Sequence, residues 1–123
     1  MTNSSPTFIM KSMPTFPLKV ELAIPPERPV MKGYITVDAV VKSKEEIKTL
    51  GEQNYEDGEF FDHLIQAVHG LGNESGVVLE GEDAMKELKE GKLSMYLVPA
   101  VVSAYFEQYG EARRKNLRAS QRR

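Results

Sequence analysis

From residue 18 to residue 24 apolar and polar side chains alternate. Leu18, Val20, Leu22 and Ile24 fall on one side, Lys19, Glu21 and Ala23 on the other. A period of two is that of a strand with one buried face. Pro25, Pro26 and Pro29 end the run, because proline has no N–H to give to a ladder. A second alternating run covers residues 32–41, with Ile35, Val37, Ala39 and Val41 opposite Tyr34, Thr36, Asp38 and Val40. Together the two runs predict an antiparallel hairpin with a loose, proline-bearing turn. Two strands alone are marginal in water, so helices must cover the apolar face.

Beyond the hairpin the period changes to that of helices. Ser43 followed by Glu46 is a capping-box pattern opening a short helix, with Ile47 and Leu50 as its buried positions and Gly51 near its end. A second helix is expected from Asp57. Phe61, Leu64, Ile65 and Val68 recur at i, i+3, i+4 and i+7, and Gly70 and Gly72 stop it. Residues 72–81 read as a loop with a short extended piece at 77–79. A short helix over 82–90 follows, with Met85 and Leu88 buried and Gly91 closing it. The last helix carries Val98, Val101, Val102, Tyr105, Phe106, Tyr109 and Ala112 at helical spacing, with Ser94 as its candidate N-cap. Its outer face pairs Glu111 with Lys115 at i, i+4. The expected fold class is α+β: an N-terminal antiparallel β-hairpin packed on a mainly helical C-terminal part. Phe61, Leu64, Ile65, Val68, Val102 and Tyr105 are its expected core.

Residues 1–16 are rich in Ser, Thr, Pro and Met and show no sustained period. They read as a flexible arm with a Phe8–Ile9–Met10 patch able to dock. Residues 17–117 form the single domain expected of a 123-residue chain, and residues 118–123 a basic tail. The net charge of −2 conceals an asymmetry. Residues 45–90 hold thirteen acidic and three basic side chains, a balance of −10, whereas residues 113–123 hold six basic and no acidic ones. Such a chain has two electrostatic ends.

With no cysteine there is no disulfide, thiolate metal site or cysteine nucleophile to consider. His63 and His69 are the two histidines, and six residues on a helix separate their directions. His63 with Glu59 makes an i, i+4 pair, which is too few ligands for a metal. Asp62, Gln66 and His69 would form a polar stripe opposite the apolar face, read as a solvated surface. Phosphate-loop, nucleophile-elbow and zinc-protease motifs do not occur. The expectation is therefore a non-enzyme with neither cofactor nor metal. Residues 1–6 lack a basic, then apolar, leader pattern, and residues 95–106 are too short and interrupted to span a bilayer. A soluble chain without membrane contact is expected. A small nucleic-acid-binding or regulatory protein using the basic C-terminal tail is the alternative, disfavoured because the acidic body repels a polyanion.

In the C-terminal half a series of short segments stands in a distinctive order. It begins with Asp57–Gly58–Glu59–Phe60–Phe61 and a Gly-rich break at Gly76, and continues through a short helix ending near Gly91. Val98–Pro99–Ala100–Val101 then leads into Ala104–Tyr105–Phe106 and Glu111–Ala112–Arg113–Arg114–Lys115–Asn116. This order resembles that of the tail assembly chaperones of long-tailed bacteriophages. The strand over 33–41 and the Ser43–Lys44–Glu45–Glu46 helix start extend the resemblance across residues 31–116. The chain departs from it at His69, where relatives often carry Trp, and in the arm over 1–16, which has no counterpart.

The resemblance implies a small protein of the host bacterial cytoplasm, absent from the mature virion. Such a protein binds the tape measure protein, keeps that long apolar helical chain from aggregating, and helps recruit the major tail protein. Many members are also made in a longer, frameshifted form. Tyr and Met suit an adaptable apolar contact. The expected contact residues are therefore Tyr105, Tyr109, Arg113, Arg114, Lys115 and Asn116, facing the tape measure protein or a second copy of the chain.

Overall fold

A computed structural model of the chain describes residues 7–121, with side chains described for residues 7–110. The hairpin forms as its alternation requires. β1 (Thr15–Ile24) pairs antiparallel with β2 (Met31–Val40), Val20 lying opposite Ile35 and Leu18 opposite Val37. β1 begins three residues before the alternating run, and Phe16 already packs against the core. Pro17 is tolerated because β1 is an edge strand, where a missing N–H breaks no central ladder.

α1 (Lys44–Glu52) opens with the expected capping box. The Glu46 N–H donates to Ser43 Oγ at 3.1 Å, and the Ser43 N–H donates to Glu46 Oε1 at 3.1 Å. Accepting from Ser43 holds the Glu46 carboxyl below its ordinary range. α2 (Asp57–Leu64) ends four residues before the expected Val68, and this is the main correction to the sequence reading. Residues Ile65–His69 form β3, which pairs antiparallel with β2 to give a three-stranded sheet in the order β1-β2-β3.

The reason lies in a bulge. Val68 pairs with Val37 and Ala67 with Asp38, but Ala39 pairs with Ile65, so Gln66 is an extra residue without a partner. A bulge of this kind places two inward positions three residues apart instead of two. Ile65 and Val68 thus copy helical spacing while lying on a strand, and both are buried. The Asp62, Gln66 and His69 stripe does not exist as a helical face. Asp62 instead accepts from Lys89, and His69 Nε2 lies 3.0 Å from Asp38 Oδ2 across the strands.

After β3, Gly70 adopts a left-handed φ of 84°, a conformation that side chains with a Cβ rarely accept. The loop at 72–79 folds back on itself through a Gly72–Val78 bridge. α3 (Gly81–Glu90) buries Ala84 and Leu88, while Met85 is only half-buried. At Gly91 a Cβ would collide with the Glu87 carbonyl oxygen, so glycine is needed for the tight exit. α4 (Ser94–Gln121) starts at Ser94, which places Pro99 in its second turn. Proline leaves the Met95 carbonyl without its usual helical donor, a small cost because Met95 is exposed to water.

All eight buried side chains of the strands lie on one sheet face, which the helices cover. α4 packs on β1, α2 and α3, while α3 also packs on β3. The opposite face is polar, with Lys19 Nζ 4.4 Å from the centre of the Tyr34 ring. The architecture is α+β, and the six expected core residues are all buried. Among the described residues no helix is long and apolar enough to cross a membrane.

Candidate partner-binding surface

Where α4 passes the open end of the hairpin, its inner face is aromatic. Tyr105 is buried at 4 % exposure, and its hydroxyl donates to the Val40 carbonyl at 2.8 Å. That bond ties α4 to the last residue of β2 and satisfies the one polar atom of a buried ring. Burial pushes the Tyr105 phenol above its ordinary pKa, and the Glu46 carboxylate adds to the shift. From Tyr105 the aromatic contacts spread in two directions. Phe16 of β1 lies 6.0 Å away between ring centres, and Phe106 lies edge-on at 5.8 Å. Phe106 meets Phe60 at 5.9 Å, and Phe60 meets Tyr55, whose ring stacks on His63 at 5.2 Å.

Outside this wall lies an open groove of 340 Å³. Phe16, Tyr105 and Tyr109 form its floor, and Met13, Val41, Lys42 and Gln108 its rim. Its surface is mainly hydrocarbon and aromatic, with the Lys42 ammonium and the Gln108 amide at the edges. The sequence makes this groove because two strands stop where a helix runs on. β1 begins at Thr15, β2 finishes at Val40, and α4 continues past both. Apolar residues at the strand margins therefore line an open groove against α4.

The structure treats the expected contact residues differently. Tyr109 is half-buried on the groove floor, available to a second molecule. Tyr105 is mostly a core residue, presenting only part of its ring to the groove. The side chains of Arg113, Arg114, Lys115 and Asn116 lie outside the described residues, although their backbone continues α4. Met13, Phe16 and Val41 were not legible as site residues. Each sits at the margin of an alternating run, and only the hairpin register brings them to one place. The N–H of Val41 donates to the Pro14 carbonyl at 2.9 Å, which holds the two margins together.

A second, larger depression of 700 Å³ lies at the other end of α4, between the 72–79 loop and the start of that helix. Leu71, Leu79, Leu93 and Leu97 lie beneath rim carboxylates of Glu74, Glu87 and Glu90. Elsewhere, no three His, Cys, Asp or Glu side chains gather as a metal site among the described residues. Compared with known proteins, the chain matches no family model, no curated protein and no solved structure.

Proposed function

We propose that this chain is a non-enzymatic tail assembly chaperone of a long-tailed bacteriophage, working in the cytoplasm of the bacterial host and absent from the mature virion. In this reading it binds the tape measure protein, keeps it from aggregating, and helps bring the major tail protein to it. The observation that carries the proposal is the aromatic groove beside Tyr109, an apolar surface that the monomer leaves open. A long helical partner with exposed apolar side chains needs such a receptor: open, adaptable in shape and free of buried charge. Tyr109 supplies area with a polar tip, and Met13 supplies a deformable rim. The order of short segments along residues 31–116 supports the same reading. Arg113, Arg114 and Lys115 would then steer an acidic stretch of the partner, raising the association rate more than the final affinity.

Co-expression is the direct test. A tape measure protein that is insoluble alone should stay in the supernatant and co-purify with this chain. Failure to solubilise or bind the tape measure protein encoded beside it would refute the reading. Salt-sensitive binding to duplex DNA, abolished by changing Arg113, Arg114 and Lys115 to Gln, would instead favour a nucleic-acid-binding protein.

A further inference from the structure

The segment preceding β1 has an unusual composition for a terminal arm. Phe8, Ile9 and Met10 are consecutive and 79 %, 69 % and 87 % exposed. Three adjacent large apolar side chains in water form a patch that calls for a cover. The nearest cover is built into the same chain, because Met13 is itself part of the groove rim. Met10 is three residues from Met13 and Phe8 is five, so an extended chain lets them reach at most about 11 Å and about 18 Å from it. The 340 Å³ groove is at the small end of the roughly 300–1,000 Å³ range of ligand clefts, a size for one or two large side chains.

We infer that Phe8–Ile9–Met10 is a tethered occupant of the groove formed by Phe16, Val41, Tyr105 and Tyr109, alternating between the exposed arrangement and a docked plug that a partner must displace. Docking matches apolar side chains to an apolar floor, with the Phe8 ring against the rings of Phe16 and Tyr109. The tether does the rest. A short flexible link gives an effective concentration in the millimolar range, so a weak contact suffices to keep the groove covered. The arrangement in the structure is the open state, with Phe8, Ile9 and Met10 exposed and the groove accessible. A plug occupying the groove nine-tenths of the time reduces the apparent affinity for any competitor tenfold. It would also shield the apolar surface of a chaperone waiting for its client. The docking stands on the groove and the arm alone, whereas the competition with the tape measure protein rests on the reading of that groove as the client's site.

The chain contains no tryptophan, so a Phe8→Trp variant carries a single reporter. Docking predicts a blue-shifted emission and acrylamide quenching several-fold weaker than in a free peptide carrying the same Trp. Adding Val41→Ser to the groove rim should return both values toward those of the peptide, with the circular dichroism spectrum unchanged. The dye 1-anilinonaphthalene-8-sulfonate gives a second, opposite-signed readout. Changing Phe8, Ile9 and Met10 together to Ser removes exposed apolar surface, yet dye binding should rise several-fold because the groove is uncovered. Peptide-like emission from Phe8→Trp, or dye binding that falls or stays level in the triple variant, would overturn the plug. Neither measurement needs the tape measure protein, so a failed client assay leaves this result independent. If both proposals hold, the triple Ser variant should bind the client about tenfold more tightly than the unmodified chain.

Discussion

Tyr105 concentrates the most structural consequence in one side chain. Its ring fills the junction between β1 and α4, and its hydroxyl ends on the Val40 carbonyl. Tyr105→Phe removes the donor but keeps the ring, and should cost about 0.5–1.5 kcal/mol in urea denaturation. Tyr105→Ala also opens a cavity and should cost about 3–5 kcal/mol. The raised phenol pKa adds a pH signature. The folded protein favours the protonated phenol, so its contribution is complete below about pH 10, where the unfolded tyrosine is protonated too. It is lost as pH rises through the higher folded value. Stability should therefore fall on the alkaline side, and more shallowly in Tyr105→Phe. The Ser43–Glu46 cap has the reverse sign. Its lowered carboxyl favours the charged form in the fold, and that benefit disappears as pH falls below the usual carboxylate range. Ser43→Ala should cost about 1 kcal/mol at neutral pH and flatten the acid limb of the same curve.

Among the elements, those that obey one period were legible and the one that mixes periods was not. The hairpin, α1, α3 and the apolar face of α4 follow from alternation, a capping pair and i, i+3, i+4 spacing. β3 does not, because the extra residue Gln66 sets Ile65 and Val68 at a helical interval. Burial was read correctly for both residues while their secondary structure was not, since periodicity reports which side chains are inside and only indirectly the backbone that puts them there. The groove was illegible for a related reason: Met13, Phe16 and Val41 converge through strand register, which no local window of sequence contains. The position of Tyr109 on the groove follows from the stripe of α4, which it continues beyond the sheet. Backbone chemical shifts should accordingly report extended structure at 65–69, and the Ala67 and His69 amides, opposite Asp38 and Thr36, should exchange more slowly than that of Val68. Helical shifts through Val68 would contradict the bulged strand. The cross-strand His69–Asp38 pair is exposed on both sides, so His69→Ala should cost no more than about 1 kcal/mol.

At the scale of the molecule, one sheet face is closed by helices and the other is left to water, and the unfinished apolar surface sits where α4 outruns the sheet. An acidic body then continues into a helix whose last residues are basic, an arrangement suited to guiding a partner along α4. In the proposed reading these features serve to hold another chain, and the groove is where that claim can be broken. The decisive measurement is a binding titration of the co-expressed, purified tape measure protein against two chains whose Phe8, Ile9 and Met10 are changed to Ser so that no plug competes, one with the wild-type groove and one also carrying Tyr109→Ala and Val41→Ser, with urea denaturation confirming that the groove variant is folded. The account predicts an affinity at least about tenfold weaker for the variant, with little change in its unfolding midpoint. Equal affinity for the wild-type groove and a fully folded groove variant would contradict it.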